Sequence, residues 1–406
     1  MNYLPSGARD LLPTDLVRQE RFRQIILDTF KSWGYQPVLP PTLESLEALE
    51  AGRPKFLKEC FKVIDAEGNL LALRPDLTLP IARLAATRLS EVARPLRLCY
   101  ASKVFRASPH LADERREIYQ AGIELIGEYV DQAGSKDNQE DDDRYDLIKV
   151  TKSNLECLSI LIETLAAIGL KDYKLVLSHT ALWQYAGEIF HQIEELLEQD
   201  IASSLDQLLM HGKFVDYQRM INQVEERTLK ACPEGQSDLK NILTQTANHP
   251  LAYLKEACYE LTGKPVEILE FLDQDSEIYQ ELQAITLLEE VYGPNLFLID
   301  FTLRPDPDFY TGLYFEVVVP GYGKSIGHGG RYDNLIASFG RSEPAIGFSL
   351  QMDSLLKYTK PENLSELSQM KDALRVPFLE SEKVRLIDVI AETRKLRQSN
   401  RVVVLD

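Results

Sequence analysis

Between residues 14 and 33, Phe22, Ile26 and Phe30 recur at four-residue spacing, with Ile25 and Trp33 on the same stripe. That spacing predicts an amphipathic helix, with Pro13 and Thr14 as its start and Gly34 as its stop. Tyr35 to Leu39 then reads as a strand ending at Pro40-Pro41. Segment 61–75 reads as two strands, Phe61-Lys62-Val63-Ile64 and Leu70 to Leu73, about the turn Asp65-Ala66-Glu67-Gly68-Asn69. A helix pattern covers Leu79 to Leu89. Strand-like runs follow from Leu96 to Phe105 and from Glu117 to Leu125. Residues 146–169 predict a helix and Tyr173 to Ser178 a strand.

From Ala181 to about Tyr292 the pattern is helical, punctuated by Pro233, Pro250 and Pro265. Strands return from Leu296 to Leu303 and from Leu313 to Val319. A Gly-rich stretch, Gly321 to Gly330, reads as leading into a short helix near Tyr332 to Phe339. Ala345 to Leu350 reads as a strand feeding a helix from Gln351 to Tyr358. The tail, 361–406, holds one helix (Glu380 to Arg397) and a lone strand (Arg401 to Leu405), too little for an independent domain. There is no internal repeat. The pattern predicts an α+β fold, with helices around a mostly antiparallel sheet and a helical insertion. The expected division is 1–180 and 293–358 as two parts of one core, 181–292 as the insertion, and 359–406 as a short C-terminal remnant.

Composition narrows the function classes. Lys plus Arg is 45 and Asp plus Glu is 63, a net charge of −18. That balance disfavours a surface built for phosphate backbones or anionic membranes, which needs clustered cations. Five Cys in an odd count with no CxxC pair, and six scattered His, argue against a disulfide framework or a metal site. The longest apolar stretch, Leu158 to Leu170, is interrupted by Glu163 and is too short to span a bilayer. With no basic-then-apolar leader, the expected location is the cytoplasm. Residues 131–144, with Glu140-Asp141-Asp142-Asp143, read as a solvated loop.

Four segments remain that carry chemistry. They are Gly7-Ala8-Arg9-Asp10-Leu11-Leu12-Pro13; Leu73-Arg74-Pro75-Asp76-Leu77-Thr78; Val104-Phe105-Arg106 with Tyr119-Gln120-Ala121-Gly122-Ile123-Glu124; and Asp308-Phe309-Tyr310-Thr311-Gly312 with His328-Gly329-Gly330-Arg331-Tyr332-Asp333. Each alone also reads as a turn or as the outer face of a strand. Together and in this order they resemble histidyl-tRNA synthetase, a class II aminoacyl-tRNA synthetase. The resemblance covers roughly residues 1–180 and 293–356. It implies an antiparallel sheet flanked by helices, and a homodimer formed through the helix at 14–33 and the strand to Pro40. Asp308-Phe309-Tyr310 is similar to the family's first histidine-specific motif, and Gly329 to Asp333 matches the second.

The resemblance also implies a histidine pocket, and the side chains are chemically suited to one. Asp76, with the Thr78 hydroxyl and the Gln120 amide, supplies partners for an ammonium group. Glu124 accepts from one ring nitrogen and Tyr310 pairs with the other. Arg106 is the cation for a carboxylate or phosphate. No cofactor and no metal is expected.

The departures from the synthetase fall on its ATP and tRNA machinery. Ser354 stands where the third-motif arginine is expected, Pro305 where the histidine-specific arginine is expected (Arg304 is one residue off), and Ser108 where a glutamate is expected, in a loop that continues Pro109-His110-Leu111. The C-terminal region is shorter than an anticodon-binding domain. A pocket kept without these cations resembles the regulatory subunits of ATP phosphoribosyltransferase, synthetase paralogues in histidine biosynthesis. That resemblance implies a non-catalytic chain that partners the short-form catalytic subunit in a hetero-octamer of four plus four. It further implies that the chain is required for the first step of the pathway, senses L-histidine as end product, and binds neither tRNA nor membrane. Two other readings stay open: an active histidyl-tRNA synthetase or related histidine-adenylating ligase, and a binding module serving a different partner, such as a kinase-linked amino-acid sensor.

Overall fold

The computed structural model describes residues 3–52, 57–107, 115–127, 142–180, 262–264, 269, 276–300, 303, 309–322, 324–359, 371–376, 386–398 and 401–405. Most of the expected insertion 181–292, nearly all of the loop expected at 131–144, and the positions 108–111, 304, 305 and 308 lie outside the described residues. In chain order the elements are α1 (Pro13–Ser32), β1 (Gln36–Pro37), β2 (Leu43–Ser45), α2 (Leu46–Gly52), β3 (Lys62–Ile64), β4 (Leu70–Leu73), α3 (Thr78–Thr87), β5 (Leu96–Phe105), β6 (Glu117–Ile126), α4 (Asp142–Ala167) and β7 (Lys174–His179). There follow β8 (Thr262–Gly263), α5 (Glu277–Thr286), α6 (Leu288–Tyr292), β9 (Phe297–Asp300), β10 (Leu313–Val318), β11 (Ser325–Arg331), β12 (Ala345–Gln351), α7 (Met352–Tyr358), β13 (Lys371–Val376), α8 (Leu386–Gln398) and β14 (Arg401–Leu405).

The chain divides into two compact units. One comprises residues 1–175, 281–296 and 307–406, the other 176–280 and 297–306. In the first unit six strands lie side by side in the order β1-β5-β6-β12-β11-β10. β1 runs parallel to β5 and the other neighbours are antiparallel. A smaller antiparallel sheet, β2-β4-β3, and a parallel pair, β13-β14, complete its strands. In the second unit β8 pairs antiparallel with β9, Thr262 opposite Asp300.

The stripe expected on α1 is the buried one: Phe22, Ile25, Ile26, Leu27 and Phe30 face inward, and Phe30 meets Phe348 of β12 edge-on at 5.8 Å. Each such side chain contributes roughly 1.5–3 kcal/mol on burial. Gly34, at φ +82°, ends the helix in the left-handed conformation that glycine adopts without strain.

α4 carries the interrupting Glu163, and the structure gives that charge a purpose. Its carboxylate accepts from Trp33 Nε1 (2.9 Å), Tyr292 Oη (2.9 Å) and both arms of Arg397 on α8 (3.2 and 3.1 Å). Arg397 also lies 3.3 Å over the Trp33 ring. The C-terminal helix is therefore tied to α1, α4 and α6 by one partly buried ionic node.

Two expectations are corrected. The Gly-rich stretch is in part a strand: residues 325–331 form β11, in the interior of the sheet, and the short helix expected near Tyr332 to Phe339 is a 3-10 helix at Ile336–Phe339. The glycines of β11 let neighbouring strands and rings approach closely. The strand Arg401–Leu405 is not alone; it pairs in parallel with Lys371–Val376, with α8 as the crossover. Among the described residues no helix is long and apolar enough to cross a membrane. Cys60, Cys99 and Cys157 are buried thiols outside any disulfide, and Cys232 and Cys258 lie outside the described residues.

Candidate functional site

β6 provides the centre of the site. Along a strand, alternate side chains share a face, so Gln120, Gly122 and Glu124 project to one side. The register sets Ser102, Tyr100 and Leu98 of β5 opposite them on one flank. Gln351, Ser349 and Gly347 of β12 lie opposite on the other. Gly330 and His328 of β11, then Tyr314 and Glu316 of β10, continue these rows. Glycines pave this floor. A Cβ at Gly347 would lie 2.0 Å from Glu124 Oε2, one at Gly122 would lie 2.6 Å from Tyr100 Oη, and one at Gly330 would lie 2.8 Å from the Tyr310 ring. Those residues are small so that the polar side chains can lie flat on the sheet.

Above the floor, the turn into α3 brings Asp76 and Thr78. Asp76 Oδ1 accepts the backbone N–H of Leu79 at 3.1 Å, fixing the carboxylate at the start of the helix. Tyr310 stacks on Phe309 (4.6 Å) and tilts against Tyr314 (4.8 Å). The two motifs that flank β10 and β11 are stitched to each other. Thr311 N–H donates to the Arg331 carbonyl (2.7 Å), and Asp333 N–H donates to Thr311 Oγ1 (3.0 Å).

The electrostatics of this site are set by burial. Glu124 is 1% exposed. Its Oε2 accepts from the Tyr332 hydroxyl, and its Oε1 has no hydrogen-bond partner. Burial pushes its pKa up to about 8; the Asp76 charge adds to the shift, while the Tyr332 and Thr78 hydroxyls oppose it. Tyr100 and Tyr332 are pushed well above the phenol range, by burial first and then by the Glu124 charge. Tyr100 Oη and Gln120 Oε1 also lack partners, although both are buried. Three buried polar atoms left unmade on one face are costly, about 1–3 kcal/mol each, unless a ligand completes them.

Asp76, Thr78, Glu124 and Tyr310 are thus brought together, with Gln120 one pleat further along β6. Arg106 lies at the rim, its Nε 3.4 Å from the Pro75 carbonyl oxygen. Sequence reasoning missed Tyr100 and Tyr332. Nothing local marks Tyr100, which only the strand register sets directly opposite Gly122.

The other motif arginines bond groups of their own fold. Arg74 spends its guanidinium on the carbonyls of Pro40 (2.5 Å), Pro41 and Lys103 and on Ser102 Oγ. Arg331 holds Asp333 (3.0 Å), Ser153 (2.5 Å) and Asn154, anchoring the motif to α4. Ser354, where a cation was expected in a synthetase, is buried and pairs with Tyr322 Oη at 3.2 Å, and Tyr322 in turn packs on Tyr358. Its neighbour Asp353 is bridged by Arg9 and Arg115, both at 2.6 Å. That contact accounts for the first motif, which fastens the N-terminal segment to α7.

The sequence pattern of histidyl-tRNA synthetase matches residues 7–135 and 149–355. The chain is 32% identical to the ATP phosphoribosyltransferase regulatory subunit of Moorella thermoacetica, over 99% of this chain and 92% of that one. It is 30% identical to the subunit of the same name from a Geobacillus species, over 98% and 90%. The chain belongs to the ATP phosphoribosyltransferase regulatory subunit family. Within that family the fold is that of histidyl-tRNA synthetase. A solved structure described as an ATP phosphoribosyltransferase regulatory subunit/histidyl-tRNA synthetase from Bacillus halodurans aligns with TM-score 0.66 at 25% identity, over 100% of this chain and 93% of that one. A histidine–tRNA ligase subunit from Alicyclobacillus acidocaldarius aligns at 0.61, also at 25% identity, over 88% and 96%.

Proposed function

We propose that this protein is a non-catalytic regulatory subunit that binds L-histidine between Asp76, Thr78, Arg106, Gln120, Glu124 and Tyr310, and transmits its occupancy to a short-form catalytic ATP phosphoribosyltransferase. The observation that carries this reading is the convergence of orphaned buried atoms (Tyr100 Oη, Gln120 Oε1 and Glu124 Oε1) on one floor. An amino acid with two ring nitrogens, an ammonium and a carboxylate has the groups to complete them. A site that pairs both ring nitrogens discriminates strongly, because an analogue lacking them strands buried polar groups.

The assembly we propose is four of these chains with four catalytic subunits in the cytoplasm, built on a homodimer of the core, with no tRNA bound. Exposed apolar side chains on α1 (Leu16 and Val17) and around the small sheet (Leu39, Leu43, Ile64 and Leu70) support burial of that region in the complex. We further propose residues 181–292 as an insertion between two parts of the core, and 359–406 as a short segment following it. Histidine binding favours a low-activity state of the complex; a coupling of about 1–3 kcal/mol is enough, and linkage requires that substrates alter histidine affinity by the same factor.

The residual reading is a histidine-adenylating ligase, which Arg106 at the rim favours. Adenylation needs cations on the leaving pyrophosphate, and Ser354 packed on Tyr322 does not supply one. Calorimetry with histidine tests the main reading: a Glu124→Ala variant is expected to lose histidine sensitivity while still assembling with the catalytic subunit. Absence of histidine binding to the wild-type complex would refute it, and histidine-dependent exchange of pyrophosphate into ATP would revive the ligase.

A further inference from the structure

The deeply buried acid of the pocket has surroundings that assign it a chemical task, on the reading that histidine is the ligand. Glu124 is enclosed on every side. Asp76 and Thr78 face it from the start of α3, Tyr100 from β5, Tyr332 from just beyond β11, and Cys157 from α4. Gly347 lies beneath it, too close for any side chain. Among the described residues no cation is paired with it. Arg331 is committed to Asp333, Ser153 and Asn154, and Arg74 to backbone carbonyls and Ser102. A carboxylate without solvent or a counter-ion, beside a second carboxylate, is the costlier state, so the neutral acid is preferred. The Tyr332 hydroxyl already donates to Oε2, which leaves the unpartnered Oε1 as the oxygen that carries the proton.

We propose that the empty pocket holds Glu124 as the neutral acid and that an arriving imidazole takes its proton, so that the site selects ligands by ring basicity as well as by shape. The O–H bond at Oε1 breaks, an N–H bond forms at the facing ring nitrogen, and the electron pair stays on the carboxylate. For a neutral imidazole the step moves one proton within the site and exchanges none with solvent. The product is an imidazolium with two ring donors, one for Glu124 and one for the Tyr310 oxygen, and the pocket acquires an ion pair with a charge-assisted hydrogen bond in place of an unmade one. A ring of the same size without a basic nitrogen leaves the proton on Oε1 and gains none of this.

Proton counting tests the proposal at pH 7, well below the range in which the ligand's ammonium titrates. A neutral Glu124 gives the empty site close to one proton, and a free imidazole of pKa near 6.5 carries about 0.25. A complex that holds one proton between them therefore forms with release of only about a quarter of a proton. Isothermal calorimetry of the full-length protein with L-histidine, in two buffers of different ionisation enthalpy, reads this number. Uptake of about three quarters of a proton would mean that Glu124 was already ionised, and release of about one would mean that the complex holds none; either overturns the proposal. Infrared difference spectra provide the second reading. A protonated-carboxyl carbonyl band is expected in the empty protein, absent in Glu124→Gln and lost when histidine is added; persistence of the band with histidine bound overturns proton transfer. Failure of histidine to bind at all removes the pocket assignment itself, whereas binding with the wrong proton count removes only this proposal.

Discussion

Replacing Gly347 with alanine puts the geometry of the pocket under direct stress. Gly347 lies opposite Glu124 on one side and opposite Gly330 on the other. A Cβ there would sit 2.0 Å from Glu124 Oε2 and 2.4 Å from the Ile123 carbonyl oxygen. Non-bonded heavy atoms want about 3.5 Å, so the carboxylate must retreat by more than about 1 Å. The Ile123 backbone resists, because β6 is bonded on both flanks. Overpacking of this kind costs about 1–3 kcal/mol of stability. The displaced carboxylate also loses its charge-assisted bond to the ligand, about 1.5–3 kcal/mol, which is roughly a 10- to 150-fold rise in Kd for histidine. Calorimetry measures the affinity, and chemical denaturation the stability. Because the clash is partly with Glu124 itself, Gly347→Ala is expected to cost less stability in a Glu124→Ala background, which a double-mutant cycle detects. Unchanged histidine affinity in a folded Gly347→Ala protein would refute the placement of the imidazole on Glu124.

Three further outcomes follow from the same contacts. Arg397→Met leaves the partly buried Glu163 with only the Trp33 and Tyr292 donors and should cost about 1.5–3 kcal/mol in urea denaturation; the double change with Glu163→Gln should cost much less, and a loss under about 1 kcal/mol for the single variant would show that α8 is not anchored as described. The pKa of Glu124 is raised from 4.5 to about 8, so the folded state keeps a proton that the unfolded chain gives up. The wild type thus loses stability as pH rises from about 4.5 to about 8, and Glu124→Gln should gain in melting temperature relative to wild type between pH 6 and pH 9; a pH-independent difference would contradict this. Arg331→Lys should reduce stability by about 1.5–3 kcal/mol, because an ammonium cannot span Asp333 and Ser153 together, whereas Arg106→Ala should weaken histidine binding with stability within about 0.5 kcal/mol of wild type; the opposite pattern would exchange the roles assigned to these arginines.

Much of the core was legible because hydrophobic period and burial coincide there. The run Leu96–Phe105 was read to the residue, and α1 presents the stripe that its four-residue spacing announced. β11 was not legible. In Ser325–Arg331 three of seven residues are glycine, which normally signals a turn, and their reason for being there is the close approach of Leu350, Phe315, Phe348 and Tyr310, which no local pattern contains. β2 and α2 were missed for a related cause: three strand residues with one buried side chain give no period to read. Among the candidate ligand residues, Asp76, Thr78, Glu124 and Tyr310 do converge. Arg74 and Arg331 lie in equally conspicuous motifs, yet their guanidiniums hold backbone and helix. A motif records that a residue type matters but not whether it faces a ligand or its own fold. Tyr100 escaped for the converse reason, since a tyrosine in an apolar strand looks like core until the register sets it over Gly122.

The central claim is that this chain regulates a partner through histidine bound on the β6 floor. It is tested most directly by the activity of a short-form catalytic ATP phosphoribosyltransferase, with and without this chain, titrated with histidine. The expected result is low activity alone, activation on adding the chain, and inhibition by histidine that Glu124→Ala abolishes without loss of activation. Activity indifferent to the chain, or histidine inhibition that survives Glu124→Ala unchanged, would contradict it.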